Sequence, residues 1–244
     1  MTASGDPGVP PPDGGGRRGL FVVVEGVEGA GKSTQVERLA TWLQSRGTPV
    51  VRAREPGGTP VGEAVRDVLL DREELRIGAE SELLLMLAAR AAFVRDVVRP
   101  ALDRGEVMVA DRFETSTFAY QGFGRRLPLD EVRRLNTFAT GGLRPDLVLI
   151  LDLPVAEGRA RQKSSGKADD RIEAAGTEFL ERVAEGYREL ARHDDRALLV
   201  DALRDPDDVE SEIRSLLAGR FPEPFGPAGG SKTSDPPQPP DPLA

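Results

Sequence analysis

Residues Gly26–Ser33 have the composition of a loop that binds a chain of phosphate groups. Their sequence, GVEGAGKS, matches the pattern G-x-x-x-x-G-K-[ST]. Glycines allow the backbone N–H groups of such a loop to point inward at phosphate oxygens. Lys32 can then reach the β- and γ-phosphates, and the Ser33 hydroxyl can hold Mg²⁺. The pattern therefore predicts a site for a nucleoside triphosphate.

The residues on either side of the loop support this interpretation. Before it, Leu20–Val24 is an apolar run typical of a strand that is buried on both faces of a parallel sheet. After it, Val36, Leu39, Ala40 and Leu43 have the spacing of one face of a helix. The alternative is an ordinary glycine-rich turn. A strand before the loop and a helix after it disfavour that alternative.

The rest of the chain alternates between predicted strands and helices. Further strands are predicted at Pro49–Arg52, Val107–Ala110, Leu147–Leu151 and Ala197–Val200. Helices are predicted at 62–70, 80–98 (ending near Pro100), from 128, from 154, at 173–192 and at 207–217, with a polar interruption at 162–170. This alternation predicts an α/β fold in which helices cover both faces of a parallel sheet.

Polar residues follow several of the predicted strands. They are Arg54 and Glu55, Asp111 and Arg112, and Asp152. Because ligands of parallel sheets bind at the carboxyl ends of the strands, these side chains are expected to meet at one rim with the phosphate loop. Asp111 occupies the position of a metal-positioning acidic residue. A helix cap is the alternative for any single aspartate, and the presence of several polar groups at one rim favours a site.

The composition narrows the class of protein. The chain has 244 residues, with 33 basic and 41 acidic side chains and a net charge of −8. This charge does not favour a nucleic-acid surface, and no apolar run reaches membrane-spanning length. The absence of cysteine excludes disulfides and cysteine-ligated metals, and the single histidine, His193, disfavours a Ser-His-Asp triad. A cytoplasmic, reducing location is compatible with this composition, and we expect no nucleic-acid or membrane partner.

The two ends of the chain differ from the middle. Residues 1–18 and 222–244 are rich in Gly, Pro and polar residues and have few large apolar side chains. Such segments bury too little apolar surface to offset the entropy of ordering. We therefore predict two disordered tails around one domain at 19–221. A proline-rich docking peptide is the alternative for the C-terminal tail.

Eight motifs, spread over about residues 19–220, resemble those of bacterial thymidylate kinases. They are Gly26–Thr34, Arg54–Thr59 (REPGGT), Ala88–Arg90, Asp111–Phe113, Ser116, Ala119–Gly122 (AYQG), Arg144–Leu147 and Asp170–Glu173 (DRIE). The resemblance implies transfer of the γ-phosphoryl group of ATP to dTMP, which gives dTDP for dTTP synthesis, with Mg²⁺ as cofactor. It also implies the P-loop kinase fold with a five-stranded sheet, a short lid segment and a homodimer.

The resemblance also implies a role for individual residues. ATP phosphates would contact Gly26, Val27, Glu28, Gly29, Ala30, Gly31, Lys32, Ser33 and Thr34. The dTMP site would comprise Glu28 by the sugar, Arg54, Met86, Arg90 at the thymine edge, Arg112 on the phosphate, Ser116, Thr117, Tyr120 against a ribose 2′-hydroxyl, and Gln121. Ser33 and Asp111 would hold Mg²⁺, and the catalytic set would be Lys32, Asp111, Arg112, Arg161 and Arg171. Glu55–Pro56 would shape the acceptor loop through an unusual peptide geometry.

The sequence departs from the family pattern at two places. The position four residues before Arg90 usually carries a phenylalanine that stacks on thymine, and here it is Met86, which either covers the base or packs in the core. The lid at 162–170 has Lys163 and Lys167 but no arginine. We expect the flanking Arg161 or Arg171 to reach the transferred phosphoryl group, because a guanidinium can bridge two phosphates. The alternative is that these side chains merely solvate a loop.

Other nucleotide-binding functions fit the sequence less well. A GTPase would need an Asn-Lys-x-Asp guanine reader, and the sole asparagine, Asn136, is followed by Thr137. A non-catalytic ATP-binding module and a kinase of another nucleoside monophosphate remain alternatives.

Overall fold

Five parallel strands form the centre of the molecule, as the sequence predicts. The computed structural model describes residues 18–72, 74–166 and 171–225. The strands are β1 (Phe21–Gly26), β2 (Val50–Arg54), β3 (Val107–Asp111), β4 (Leu147–Asp152) and β5 (Ala197–Asp201). Their order in the sheet is β2-β3-β1-β4-β5. The strand that precedes the phosphate loop is therefore the central one, and all six of its residues are buried.

The core lies on both faces of this sheet. Because successive side chains of a strand point to opposite faces, Phe21 and Val23 pack on one side with Phe93. Val22 and Val24 pack on the other side with Leu39. The near-continuous apolar composition of β1 follows from this two-sided burial.

Helices surround the sheet and connect its strands. They are α1 (Lys32–Ser45), α2 (Pro60–Arg66), α3 (Ala79–Phe93), α4 (Arg99–Asp103), α5 (Glu114–Thr117), α6 (Leu129–Thr140), α7 (Val155–Ser164), α8 (Thr177–Arg192), α9 (Pro206–Arg220) and α10 (Pro222–Phe225). Three π-helical stretches, Asp67–Asp71, Val94–Val98 and Phe118–Gly124, continue α2, α3 and α5, and Glu173–Ala175 is a 3₁₀ turn. None of the helices among the described residues is long and apolar enough to cross a lipid bilayer.

The helices differ from prediction at three points. The prediction that the long helix ends near Pro100 is wrong, because α4 continues it to Asp103. Pro100 is the second residue of α4, directly after the π-helical stretch Val94–Val98. Gly176, at φ 97°, separates α8 from the preceding 3₁₀ turn. The helical segment from Glu114 to Gly124 was not predicted at all.

The C-terminal boundary of the domain lies further along the chain than predicted. Helix α10 follows α9 directly, and its Phe225 is only 3% exposed. The Phe225 ring lies 6.4 Å from the ring of Trp42 on α1. The boundary predicted at residue 221 is therefore wrong, because a single aromatic side chain anchors the next four residues. The two tail predictions otherwise concern residues 1–17 and 226–244, which lie outside the described residues.

Replacing Phe225 tests this boundary. We expect Phe225→Ala to lower the free energy of unfolding by about 2 kcal/mol, because a buried aromatic contact is lost near the end of the chain. Urea denaturation of the full chain measures the change, with Leu203→Ala, at a side chain that is 54% exposed, as the control. A chain truncated after Phe221 should lose as much stability, whereas one truncated after Phe225 should lose none. An unchanged midpoint for Phe225→Ala would contradict the anchoring role.

Candidate active site

The phosphate loop connects the end of β1 to the start of α1 and is closed around Lys32. The Lys32 ammonium donates a hydrogen bond to the Val27 carbonyl oxygen at 2.8 Å and lies 3.8 Å from a Glu28 carboxylate oxygen. Gly29 has φ 74°, and a Cβ atom there would lie 2.2 Å from the Gly158 carbonyl oxygen on α7. Glycine is thus required both by the backbone conformation and by the close approach of α7.

Ser33 and Asp111 meet beside this loop, as the sequence predicts for two residues at neighbouring strand ends. The Ser33 hydroxyl donates to Asp111 Oδ2 at 2.8 Å. Hydroxyl and carboxylate oxygens are the ligands that Mg²⁺ takes from proteins when phosphates and waters complete its shell. These two groups fit such an ion. Within the described residues no group of three or more His, Cys, Asp or Glu side chains has the arrangement of a metal site.

Arg112 lies at the centre of a dense polar cluster. Its Nη2 donates to both Glu28 carboxylate oxygens and, at 3.3 Å, to the Tyr120 hydroxyl. Its Nη1 donates to the Ser116 hydroxyl at 3.0 Å and to the Tyr187 hydroxyl at 3.1 Å. Arg112 itself has φ 74°, an uncommon conformation for a residue with a side chain. The cluster brings together Glu28, Arg112, Ser116 and Tyr120, all predicted site residues.

The charges in this cluster depend on one another. Burial alone would raise the pKa of the Glu28 carboxyl, but the Arg112 and Lys32 charges outweigh burial and hold that pKa well below its ordinary value. Burial lowers the pKa of the Lys32 ammonium, and the Arg112 charge lowers it further. Burial raises the pKa of the Tyr120 hydroxyl well above its ordinary value. Glu28 is therefore an anion at neutral pH and Tyr120 is a neutral hydroxyl.

A pocket of about 90 Å³ opens beside Arg112. Predicted residues line it: Glu28, Met86, Arg90, Arg112, Ser116, Thr117, Tyr120 and Gln121. Its lining also includes Glu55, Pro56, Arg66, Leu70 and Ile172, which the predicted substrate set omits. Arg54 does not belong to the lining, because its side chain is half exposed and pairs with Glu63 at 3.0 Å.

Arg90 is buried at the end of this pocket, at 2% exposure. Its guanidinium donates to Glu55 Oε2 at 2.8 Å, to Thr117 and Asn136 at 2.9 Å, and to the Phe113 carbonyl at 3.0 Å. These partners come from three separate segments of the chain, which are the loop after β2, the segment that follows β3, and α6. The orientation of the guanidinium that lines the pocket is therefore fixed by its partners.

The other pocket residues with a predicted special role are also in place. The Glu55–Pro56 peptide bond is cis, so the predicted unusual geometry is confirmed. Burial raises the pKa of the Glu55 carboxyl to about 7, against the opposing charge of Arg90. Met86 is half-buried, and it both lines the pocket and packs against the main core. The two interpretations of Met86, base cover and core packing, are therefore compatible.

The two predicted lid arginines are held by partners outside the phosphate loop. Arg171 donates to the Leu69 carbonyl oxygen and to the buried carboxylate of Glu82, both at 2.8 Å. Arg161 donates to the Ala202 carbonyl oxygen at 2.9 Å. Lys163 is exposed at the end of α7, and Lys167 lies outside the described residues. To reach a phosphate, either arginine must first leave these partners.

Besides the lining residues that the predicted set omits, reasoning from the sequence misses two residues that contact the cluster around Arg112. Glu25 is a charged residue at the end of an apolar run, and a charged residue at that position is the sequence signal that marks it. Tyr187 comes from α8, far along the chain, and no local motif marks it. Both contact the polar cluster around Arg112 through hydroxyl hydrogen bonds.

Comparison with known proteins agrees with this geometry. The family model described as thymidylate kinase matches residues 24–213. The chain is 47% identical over 205 residues to the thymidylate kinase of Desulfovibrio desulfuricans, an alignment that covers 81% of this chain and 94% of the relative. It is 49% identical over 208 residues to that of Desulforudis audaxviator, covering 83% and 93%. The crystal structure of the Ehrlichia chaffeensis thymidylate kinase superimposes with a TM-score of 0.66 at 28% identity, covering 82% of this chain and 99% of that one.

Proposed function

This chain belongs to the thymidylate kinase family, and we propose that it transfers the γ-phosphoryl group of ATP to dTMP with Mg²⁺, giving dTDP for dTTP synthesis. The observation that carries the proposal is the position of Arg112. Its guanidinium contacts Glu28 in the phosphate loop and lines the adjacent pocket, so it lies between the two expected substrates. Phosphoryl transfer depends on such positioning and on charge neutralisation.

The roles of the residues follow from this arrangement. Lys32 and the backbone of Gly26–Thr34 hold the ATP phosphates, and Arg112 takes the phosphate of dTMP in place of Glu28. Glu28, once released from Arg112, lies beside the acceptor sugar. Ser33 and Asp111 are the ligands for Mg²⁺, which when bound neutralises the charge that develops on the phosphates. Tyr120 fills the space of a ribose 2′-hydroxyl.

Turnover of alternative acceptors tests the proposal. We expect ATP-dependent formation of a diphosphate from dTMP, with much lower kcat/KM for dUMP, dCMP and dGMP. Omission of Mg²⁺ should abolish the reaction. Preferred turnover of another nucleoside monophosphate would assign a different kinase activity, and absence of turnover with every acceptor would favour a non-catalytic ATP-binding module. A cytoplasmic location stays a prediction.

The lid arginines are the proposed source of positive charge at the transferred phosphoryl group. Phosphoryl transfer needs more positive charge than Lys32 alone supplies. We expect Arg161→Ala or Arg171→Ala to lower kcat by about a hundredfold, and Lys163→Ala and Lys167→Ala to change it little. Steady-state kinetics of the four variants at saturating ATP and dTMP provide the measurement. Equal, small changes at all four positions would show that these side chains only solvate the lid.

A homodimer is also proposed, and exposed apolar side chains support it. Val61, Leu84 and Phe138 are 48%, 57% and 89% exposed. They lie on α2, α3 and α6, and α3 packs against both of the other helices. Exposed apolar residues on adjacent helices are typical of a surface that another chain covers.

Introducing a charge on this surface tests the dimer. Phe138→Glu is expected to produce a monomer, because a dimer would bury the introduced charge without a partner. Light scattering coupled to size exclusion measures the mass, and Leu203→Glu, at an exposed position on a different segment, is the control. A monomeric wild-type chain, or a Phe138→Glu variant that remains dimeric, would contradict this interface.

A further inference from the structure

Glu25 is a buried carboxylate that the mechanism described above does not use. It lies on β1 between Val24 and Gly26 and has 0% exposure. Burial raises the pKa of its carboxyl, so the position is costly for a charged group unless its oxygens are well partnered. A charged side chain in the central strand of the sheet calls for a reason beyond packing.

Among the described residues, the donors to the Glu25 carboxylate come from the segment that follows β3 and from α8. Its Oε1 accepts from the backbone N–H of Phe113 at 2.8 Å and of Ser116 at 3.1 Å. Its Oε2 accepts from the Ser116 hydroxyl at 2.5 Å and from the Tyr187 hydroxyl at 3.1 Å. Two of these four groups are backbone N–H groups, which can only donate, and the two hydroxyls direct their protons at Oε2.

Backbone hydrogen bonds at Arg112 and at the residue after it fix the conformation of Arg112. The N–H of Arg112 donates to the Val24 carbonyl oxygen at 3.0 Å, and the N–H of the next residue, Phe113, donates to Glu25. Arg112 is therefore held on both sides in its left-handed conformation, which is unfavourable unless the surroundings enforce it. Glu25 also satisfies free N–H groups at the start of α5, for which the capping residue Phe113 has no side-chain acceptor.

The two hydroxyl bonds fix the guanidinium. Because Ser116 and Tyr187 direct their protons at Glu25, each hydroxyl presents a lone pair to Arg112 Nη1, at 3.0 and 3.1 Å. Nη1 is thus held by these two hydroxyls and by the Gly26 carbonyl oxygen at 3.1 Å, and Nη2 points toward the carboxylate of Glu28. Glu25 does not line the pocket, and its hydrogen bonds reach Arg112 only through these neighbouring groups.

We propose that Glu25 is the positioning residue for Arg112, and that it orients this guanidinium toward the phosphate of the acceptor nucleotide. The proposal rests on the proposed function, in which that phosphate replaces Glu28. The charge of Glu25 by itself opposes binding of a second anion nearby. When the Glu25 charge is removed, Arg112 loses its alignment and the repulsion of the bound anion is relieved. The proposal requires that the lost alignment weakens dTMP binding more than the relieved repulsion strengthens it.

Glu25→Gln tests this balance with almost no change in shape. An amide NH₂ at the Oε2 position donates instead of accepting, so the two hydroxyl protons turn toward Arg112 and the lone pairs turn away. Calorimetric binding of dTMP and of thymidine separates the phosphate contribution from that of the base and sugar. We expect Glu25→Gln to weaken dTMP binding by about tenfold, the scale of a hydrogen bond to a charged group, and to leave thymidine binding unchanged.

The same measurement on Arg112→Ala and on the double variant Glu25→Gln/Arg112→Ala separates the role of Arg112 from that of Glu25. If Arg112→Ala binds dTMP as tightly as wild type does, the role proposed for Arg112 fails. If Arg112→Ala weakens dTMP binding and Glu25→Gln leaves it unchanged or tightens it, only the positioning role of Glu25 fails. In the Arg112→Ala background, Glu25→Gln should no longer weaken dTMP binding, because no guanidinium remains to be aligned.

Two more variants separate positioning from stability. Asp194→Asn removes a carboxylate from an ion pair with Arg196 before the start of β5, and should lower the melting temperature without changing the ratio of thymidine to dTMP affinity. Tyr187→Phe keeps Glu25 and removes one of the two lone pairs, and should weaken dTMP binding by about threefold. If Glu25→Gln does not fold, an unchanged dTMP affinity in Tyr187→Phe overturns the proposal.

Discussion

Lys32→Ala is expected to lower kcat by about a thousandfold without unfolding the protein. This corresponds to about 4 kcal/mol of transition-state stabilisation, the scale of one preorganised charge at a transferring phosphoryl group. Lys32 is the only cationic side chain in Gly26–Ser33, and its ammonium lies inside the loop, bonded to the Val27 carbonyl oxygen. ATP-dependent turnover at saturating substrates measures the effect.

A second cation on the same helix provides the control for Lys32. Arg38 lies on α1 and pairs with Glu210 at 3.0 Å, on the side of the helix that faces α9. Arg38→Ala should keep turnover near that of wild type, and both variants should show cooperative melting. Near-normal turnover of Lys32→Ala would contradict the assignment of the loop as the phosphate site.

Arg90→Met is expected to reduce both the stability of the protein and its discrimination between bases. Removing one partner of a buried ion pair costs about 3–5 kcal/mol, because the remaining carboxyl must either stay charged without a partner or take up a proton. Here the Glu55 carboxylate and the side-chain oxygen of Asn136 lose their donor. Arg90 also lines the pocket, where it can donate to a thymine carbonyl oxygen but would meet the amino group of cytosine. The preference for dTMP over dCMP should therefore fall with the stability.

Urea denaturation and the ratio of kcat/KM for dTMP and dCMP provide the two measurements for Arg90. Arg134→Met, which removes an exposed arginine paired with Glu131 on α6, should change neither. Adding Glu55→Gln to Arg90→Met should recover part of the lost stability, since no unpaired charge remains. An unaltered dTMP/dCMP ratio in Arg90→Met would show that this residue supports the pocket without reading the base.

The parts of this fold that the sequence predicts are those whose signal is local. The apolar run at Leu20–Val24 and the glycine pattern after it specify a strand, a loop and a helix within a short stretch. The same holds for the other four strands, all of which the structure confirms. Reasoning about strand ends also brings Ser33 and Asp111 together, since neighbouring parallel strands end at the same rim.

The parts that could not be predicted depend on contacts between distant segments. The helical segment from Glu114 to Gly124 starts on N–H groups that Glu25 satisfies from another strand. The orientation of Arg90 depends on partners from three segments, and no pattern within one segment specifies them. At the C-terminal end, composition alone suggests a tail, and a single aromatic contact of Phe225 outweighs it.

The ion pair between Arg112 and Glu28 has a consequence for how an acceptor enters the site. Before any ligand binds, the Arg112 guanidinium is already paired with the Glu28 carboxylate of its own chain. Under the proposed function, acceptor binding is therefore an exchange of one anion for another, and its free energy is the difference between two favourable interactions. The buried guanidinium therefore has an anionic partner even when no acceptor is bound. An equally buried cation without such a partner would destabilise the fold.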